Sequence, residues 1–215
     1  MSQNFNFAQF LLAVVPTLLA ITVHEAAHAY AARYWGDYTA EQEGRLTLNP
    51  LAHIDPVGTV IVPIVLILSS SPFLFGWARP VPIVSRNFRN VKLGWRTVAI
   101  AGPLSNLAMA FGWGLCAILL PYVPDSFQTA ASGMIGYGIT INIALFALNI
   151  IPIPPLDSGR FVDTFLPARW SVQYRKIEPY GFWILLLLLA ANLLPYLIYP
   201  VYFAIYRIIR LLFGI

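Results

Sequence analysis

The chain has 215 residues, 59% of them hydrophobic and only 10% charged, and its mean hydropathy is +0.71; this balance excludes an ordinary soluble domain and indicates an integral membrane protein. The net charge of +4 does not point to nucleic acid, because the basic residues fall in short segments between apolar runs, as cytoplasmic loops do. A single cysteine, Cys116, excludes an internal disulfide framework.

The first apolar run, 7–32, is too long for a signal-peptide core and has no basic residue before it, so it reads as a retained span. Further runs cover 57–75, 97–120, 132–151 and 180–213. At about 20 residues per span, the last divides into two short helices, with "NLLPYLIYP" (192–200) as the expected turn. Six full spans would place Arg33 and Arg45 opposite the other basic residues. If 57–75 dips in and returns, every basic residue lies on one side, and the loop 121–131 lies on the other. Pro63, Ser69–Ser71, Pro72 and Gly76 interrupt that run and favour a broken element, which is tolerated at depth when protein shields it.

The expected fold is therefore an all-α polytopic membrane protein with five to six transmembrane helices and a re-entrant or β-like segment near the active site. The N-terminus is expected outside, with the C-terminus and the active-site side in the cytoplasm of a multi-pass plasma-membrane protein. One membrane-embedded domain covers 1–215, with a core at about 7–165 and a C-terminal helical pair at about 180–213. Just after the broken run, "WARPVPIV" (77–84) carries Pro80 and Pro82, so it cannot be a central strand, but it can lie as an edge beside an extended chain.

Inside the first run stands "HEAAH" (24–28). On a helix His24 and His28 share one face about a turn apart, which suits two imidazoles on one metal, and Glu25 can reach a water beside it. Ionisable groups are costly in lipid and are rarely idle there. A catalytic site needs a third protein ligand, and His53 and eight other carboxylates are available. Asp157 is favoured, because Pro152, Pro154 and Pro155 break the helix at the end of the fourth run, and the re-entrant topology brings that end to the same face as His24 and His28.

At these residues the chain resembles the site-2 protease family of intramembrane zinc metalloproteases. "HEAAH", "GPLSN" (102–106) and "NIIPIPPLDSGR" (149–160) occur in the family's order, and "NPLAHIDPVGT" (49–59) with "FGWARPVP" (75–82) is similar to its compact subgroup without PDZ or CBS domains. The resemblance implies Zn²⁺ held by His24, His28 and Asp157, Glu25 as general base, and Asn149 as hydrogen-bond donor to the substrate carbonyl or oxyanion. It also implies that Asn106, with Gly102 and Pro103 in the same helix, positions substrate. Ser158 departs from the family's usual glycine. His53 reads as an auxiliary ligand or a polar loop residue.

The expected activity is hydrolysis of peptide bonds within or near transmembrane segments, in regulated proteolysis or in the clearance of membrane remnants. Expected partners are transmembrane protein or peptide substrates and the lipid bilayer; no regulatory partner or oligomer is specified. The competing classes are a non-catalytic protein that grips membrane segments and a metal-ion transporter. An intact Glu25 speaks against the first, and an outer half poor in polar residues against the second. The pair bounded by Gly181, Pro195 and Pro200 is the expected gate for lateral entry.

Overall fold

The computed structural model describes residues 7–69 and 76–215, and every regular element among them is helical. Among the described residues four helices are long and apolar enough to cross a membrane: α1 (Phe7–Tyr34) and, after the four-residue α2 (Thr39–Gln42) and the short α3 (Val62–Leu68), α4 (Val91–Ala117), α5 (Asp125–Asn149) and finally α9 (Leu194–Phe213). The 28 residues of α1 rise about 42 Å, more than the ~30 Å hydrocarbon core requires.

Helices α1, α4 and α5 pack together as the core, and small residues allow their close approach. Ala20, Ala26, Ala29 and Ala32 are buried along α1, and Ala110 and Ala147 along its partners. An apolar cluster of Ala110, Ile139, Ile143, Ile205 and Ile209 then fastens α9 to α4 and α5. Pro16 and Pro103 sit inside α1 and α4, both buried, where neighbouring helices shelter the backbone that proline leaves unpaired.

Between these long elements lie α6 (Asp157–Asp163), α7 (Ala168–Arg175) and α8 (Glu178–Ala190). The run 180–213 divides unequally: α8 has 13 residues, about 20 Å, and falls short of the ~30 Å core, whereas α9 has 20. The turn is also shorter than expected. It is confined to residues 191–193, where Asn192 adopts φ 54°, while Pro195 enters the first turn of α9 and Pro200 its interior. Proline at a helix start costs nothing, because its missing N–H would have had no partner there.

The run 57–75 begins as a π-helical turn, Pro56–Ile61, capped by the Asp55 carboxylate, which accepts from Val57 N and Gly58 N at 3.0 and 2.6 Å. It continues as α3; its interruptions at Ser70, Ser71 and Pro72 lie outside the described residues. Where description resumes, Trp77 N–H donates to Gly58 O at 3.1 Å and Thr59 Oγ1 donates to Trp77 O at 2.7 Å. The two ends of the run are therefore hydrogen-bonded to each other.

The segment 77–84 forms neither helix nor strand and reaches Val84 in extended geometry, and its backbone is held by loops and side chains instead. Arg79 N donates to His53 O (3.0 Å), Arg45 Nη2 to Arg79 O (2.6 Å), Val81 N to the Glu25 carboxylate (2.9 Å) and Val84 N to that of Asp37 (2.6 Å). With no N–H at Pro80 or Pro82, a two-sided ladder is impossible.

Candidate metal centre

His24 and His28 project from one face of α1 into its contact with α4, only 9% and 6% exposed. Asp157 reaches them from the first turn of α6, just past the proline-broken end of α5. Its carboxylate oxygens lie 3.1 Å from His24 Nε2 and 3.4 Å from His28 Nε2, and the two Nε2 atoms are 3.1 Å apart. Among the described residues these three form the group whose ligand atoms all fall within 4.8 Å of one another.

Hydrogen bonds behind the rings decide what those atoms carry. His28 Nδ1 lies 2.7 Å from the carbonyl of Val98, which can only accept, so Nδ1 bears a proton and Nε2 is the nitrogen left to present a lone pair when the ring is neutral. His24 Nδ1 lies 2.6 Å from Asn106 Oδ1. The orientation of that amide is set in turn: Asn106 Nδ2 donates to Ala20 O at 3.1 Å and Asn142 Oδ1 at 3.0 Å, and Asn142 Nδ2 donates to Gly138 O at 2.8 Å. With both rings in their neutral form, the two Nε2 lone pairs converge on the Asp157 carboxylate, whose buried Oδ2 lies 3.1 Å from His24 Nε2 without a well-aligned hydrogen bond. A divalent cation resolves that repulsion, and two imidazoles with one carboxylate are a donor set of zinc.

Glu25, one residue from the first ligand, lines the same cavity of about 400 Å³ as His24, His28, Asn149 and Asp157. The extended segment closes one wall through Trp77, Ala78, Pro80 and Val81. Asn149 keeps its amide on its own helix, donating to Leu145 O at 3.0 Å.

Other expected site residues occupy different places. Asn106 is fully buried behind His24 and does not line the cavity, so its contact is with the His24 ring. Gly102 is required by the rings: a Cβ there would lie 2.4 Å from His28 Nε2 and 2.7 Å from His24 Cε1. Pro103 is buried in the same turn of α4. His53 stands outside the three-residue group; it is 1% exposed in its loop, with Nε2 2.9 Å from Thr47 O.

Two further buried residues support this arrangement and were not singled out from sequence. Asn142, a polar residue deep in an apolar run, carried the signal that should have found it. Asp37 follows a turn glycine and accepts from Thr39, Val84 and Asn87, tying the end of α1 to the extended segment. Burial alone would raise the Asp37 carboxyl, but these hydrogen bonds outweigh it and hold its pKa below the ordinary value.

The fold and the site together define a helical protein with four helices long and apolar enough to cross a membrane, among the described residues, and a two-histidine, one-aspartate group able to hold a metal ion. Over 191 residues, 87% of this chain and 84% of the relative, the sequence is 39% identical to a Bacillus subtilis protein named "Putative zinc metalloprotease YwhC". The chain belongs to that zinc metalloprotease family. It is also 27% identical to the Mycolicibacterium smegmatis relative bearing the same description, Rip2, over 84% of this chain and 67% of the relative. The Methanocaldococcus jannaschii member, MJ0611, is 28% identical over 79% of this chain and 78% of its own length. No protein-family model and no solved structure matches the chain.

Proposed function

We propose that the protein is an intramembrane zinc endopeptidase of the site-2 protease type, in its compact form, cutting peptide bonds within or near transmembrane segments. The observation that carries this reading is the convergence of His24, His28 and Asp157, with Glu25 in the same cavity, on helices long and apolar enough to cross a bilayer.

Zinc, when bound, supplies the Lewis acidity that acidifies water and polarises a carbonyl. Glu25 takes the proton from the attacking water and passes it to the leaving amine, while Val81 N–H holds one of its carboxylate oxygens in place. Asn149 spends one amide hydrogen on Leu145 O, and its second serves the developing oxyanion, a contribution of about 3 kcal/mol for one such donor. Asn106 and Val98 hold the two histidines in the tautomer that presents Nε2.

A peptide bond inside a helix is shielded by its own hydrogen bonds, so the substrate must unwind before attack. The segment 77–84 suits an extended chain: backbone groups of Trp77, Arg79, Val81 and Val84 are tied to the loop and to side chains, while Ala78 and Pro80 line the cavity. The bond between Trp77 and Gly58 favours re-entry of 57–75 over a full span, which leaves the basic loops and the metal side in the cytoplasm. Substrates are membrane proteins or their remnants.

The test is cleavage of a panel of single-span peptides by the purified protein, with Glu25→Gln and Asp157→Ala beside it and zinc measured in each. Glu25→Gln should keep zinc and lose at least about 100-fold in rate; Asp157→Ala should lose both. Undiminished turnover in Glu25→Gln removes Glu25 from the reaction. Tight zinc binding without cleavage of any peptide favours a gripping protein.

A further inference from the structure

The cleft continues past the metal centre. A second cavity of about 330 Å³ adjoins the first, and Ile83, Trp95 and Arg160 line both. The polar part of its lining comes from Asp163, Thr164, Tyr174, Arg175 and Glu178, with Pro154 and Gly159 beside them. Most of these groups are held: Arg175 pairs with Asp163 at 3.0 Å and donates to Ser171 Oγ, and Tyr174 O–H donates to Pro152 O at 2.7 Å.

Arg160 is held less firmly. It stands three residues beyond Asp157 on α6, about one turn and ~5 Å along the same face. Its guanidinium lies 5.3 Å over the Trp95 ring, and its ion pair is a 3.2 Å contact with Glu178, the two side chains being 44% and 43% exposed. A half-exposed pair of this kind is weak and exchangeable. The Trp95 ring flanks the guanidinium, whose fork of donors suits a carboxylate.

We propose that this second cavity is the subsite for a carboxylate carried by the substrate about two residues from the cleaved bond, and that Arg160 reads it by exchanging Glu178 for the substrate group. The proposal rests on the peptidase reading. The extended segment runs along the first cavity through Trp77 to Val81 and reaches the second at Ile83 and Ser85, so a chain laid beside it passes from one into the other. An extended chain advances about 3.3 Å per residue, so the second residue from the scissile bond lies about 6–7 Å along it, within reach of the long Arg160 side chain that starts ~5 Å along α6 from Asp157. The carboxylate is that of an acidic side chain or the free C-terminus of a trimmed segment.

Binding to zinc-loaded Glu25→Gln protein tests this independently of turnover. The probes are fluorescent single-span peptides in which one aspartate is stepped along the polar end, each paired with its asparagine counterpart, and peptides ending at successive positions as free acid or amide. At one position aspartate should bind about fivefold more tightly than asparagine. Arg160→Gln should abolish that preference, and Glu178→Gln, which removes the competing carboxylate, should enlarge it. A merely structural ion pair would make both variants move the same way. A preference seen only between free acid and amide assigns the terminal carboxylate as the source. No carboxylate preference at any position, including no binding at all, or a preference that survives in Arg160→Gln, overturns the proposal. Cleavage of the same peptides by the parent protein is read separately: binding preference without cleavage leaves a carboxylate-binding site at Arg160 standing and overturns the peptidase reading.

Discussion

His24 is oriented by residues far from it in the chain. The relay from Gly138 O through Asn142 and Asn106 to His24 Nδ1 spans contacts 36 and 82 positions apart, and each amide has its orientation fixed by a backbone carbonyl. Asn106→Ala should therefore lower zinc affinity by about 10- to 100-fold, measured by competition with a chelator, because His24 loses the partner that holds its tautomer. Gly102→Ala should be more severe, since its methyl would fall 2.4 Å from His28 Nε2 and displace a ligand rather than loosen it. Asp37 acts on stability. Its folded pKa is depressed, so the stability it contributes is present above the unfolded value near 4 and is lost as pH falls through the folded value. Asp37→Asn should melt below the parent at neutral pH, with the gap narrowing below about pH 4.

At the scale of elements, the loop leading to Asp157 and the start of α6 are held from the C-terminal side. Tyr174 of α7 bonds Pro152 O, Glu178 of α8 pairs with Arg160, and α8 approaches so closely that a Cβ on Gly181 would fall 1.9 Å from Pro154 O. Gly181→Val should force α8 off that loop and lower both zinc retention and stability, the latter by about 1–3 kcal/mol. Gly136→Val is the control, since nothing lies within 4 Å of a Cβ there and thermal stability should barely change. The broken end of α5 was legible because three prolines within four residues leave a helix no choice. That α8 grips the result was not, since Gly181 has no local turn to explain it and its meaning lies in a residue 27 positions earlier.

For the whole molecule the open prediction is topology. In a Cys116→Ser background, cysteines at the exposed positions Ser126 and Gln173 should be labelled from opposite faces of sealed vesicles. Those at Leu51 and Arg86 should both be labelled from the face of Gln173, because the hydrogen bond between Gly58 and Trp77 brings the ends of the intervening run together. Labelling of Leu51 and Arg86 from opposite faces would establish a full span at 57–75.

Composition and local spacing belong to the chain itself, which is why the membrane setting, the paired histidines on one helical face and the broken helix before Asp157 could be read without coordinates. The tertiary structure decided what depends on distant residues meeting: that Asp157 completes the group, that Asn106 faces a ligand ring instead of the cavity, that His53 stays outside the metal group, and that Arg160 joins two cavities. Each of these is set by side chains brought together across helices, and burial turns that proximity into function, because a polar atom removed from water must find its partner in the protein.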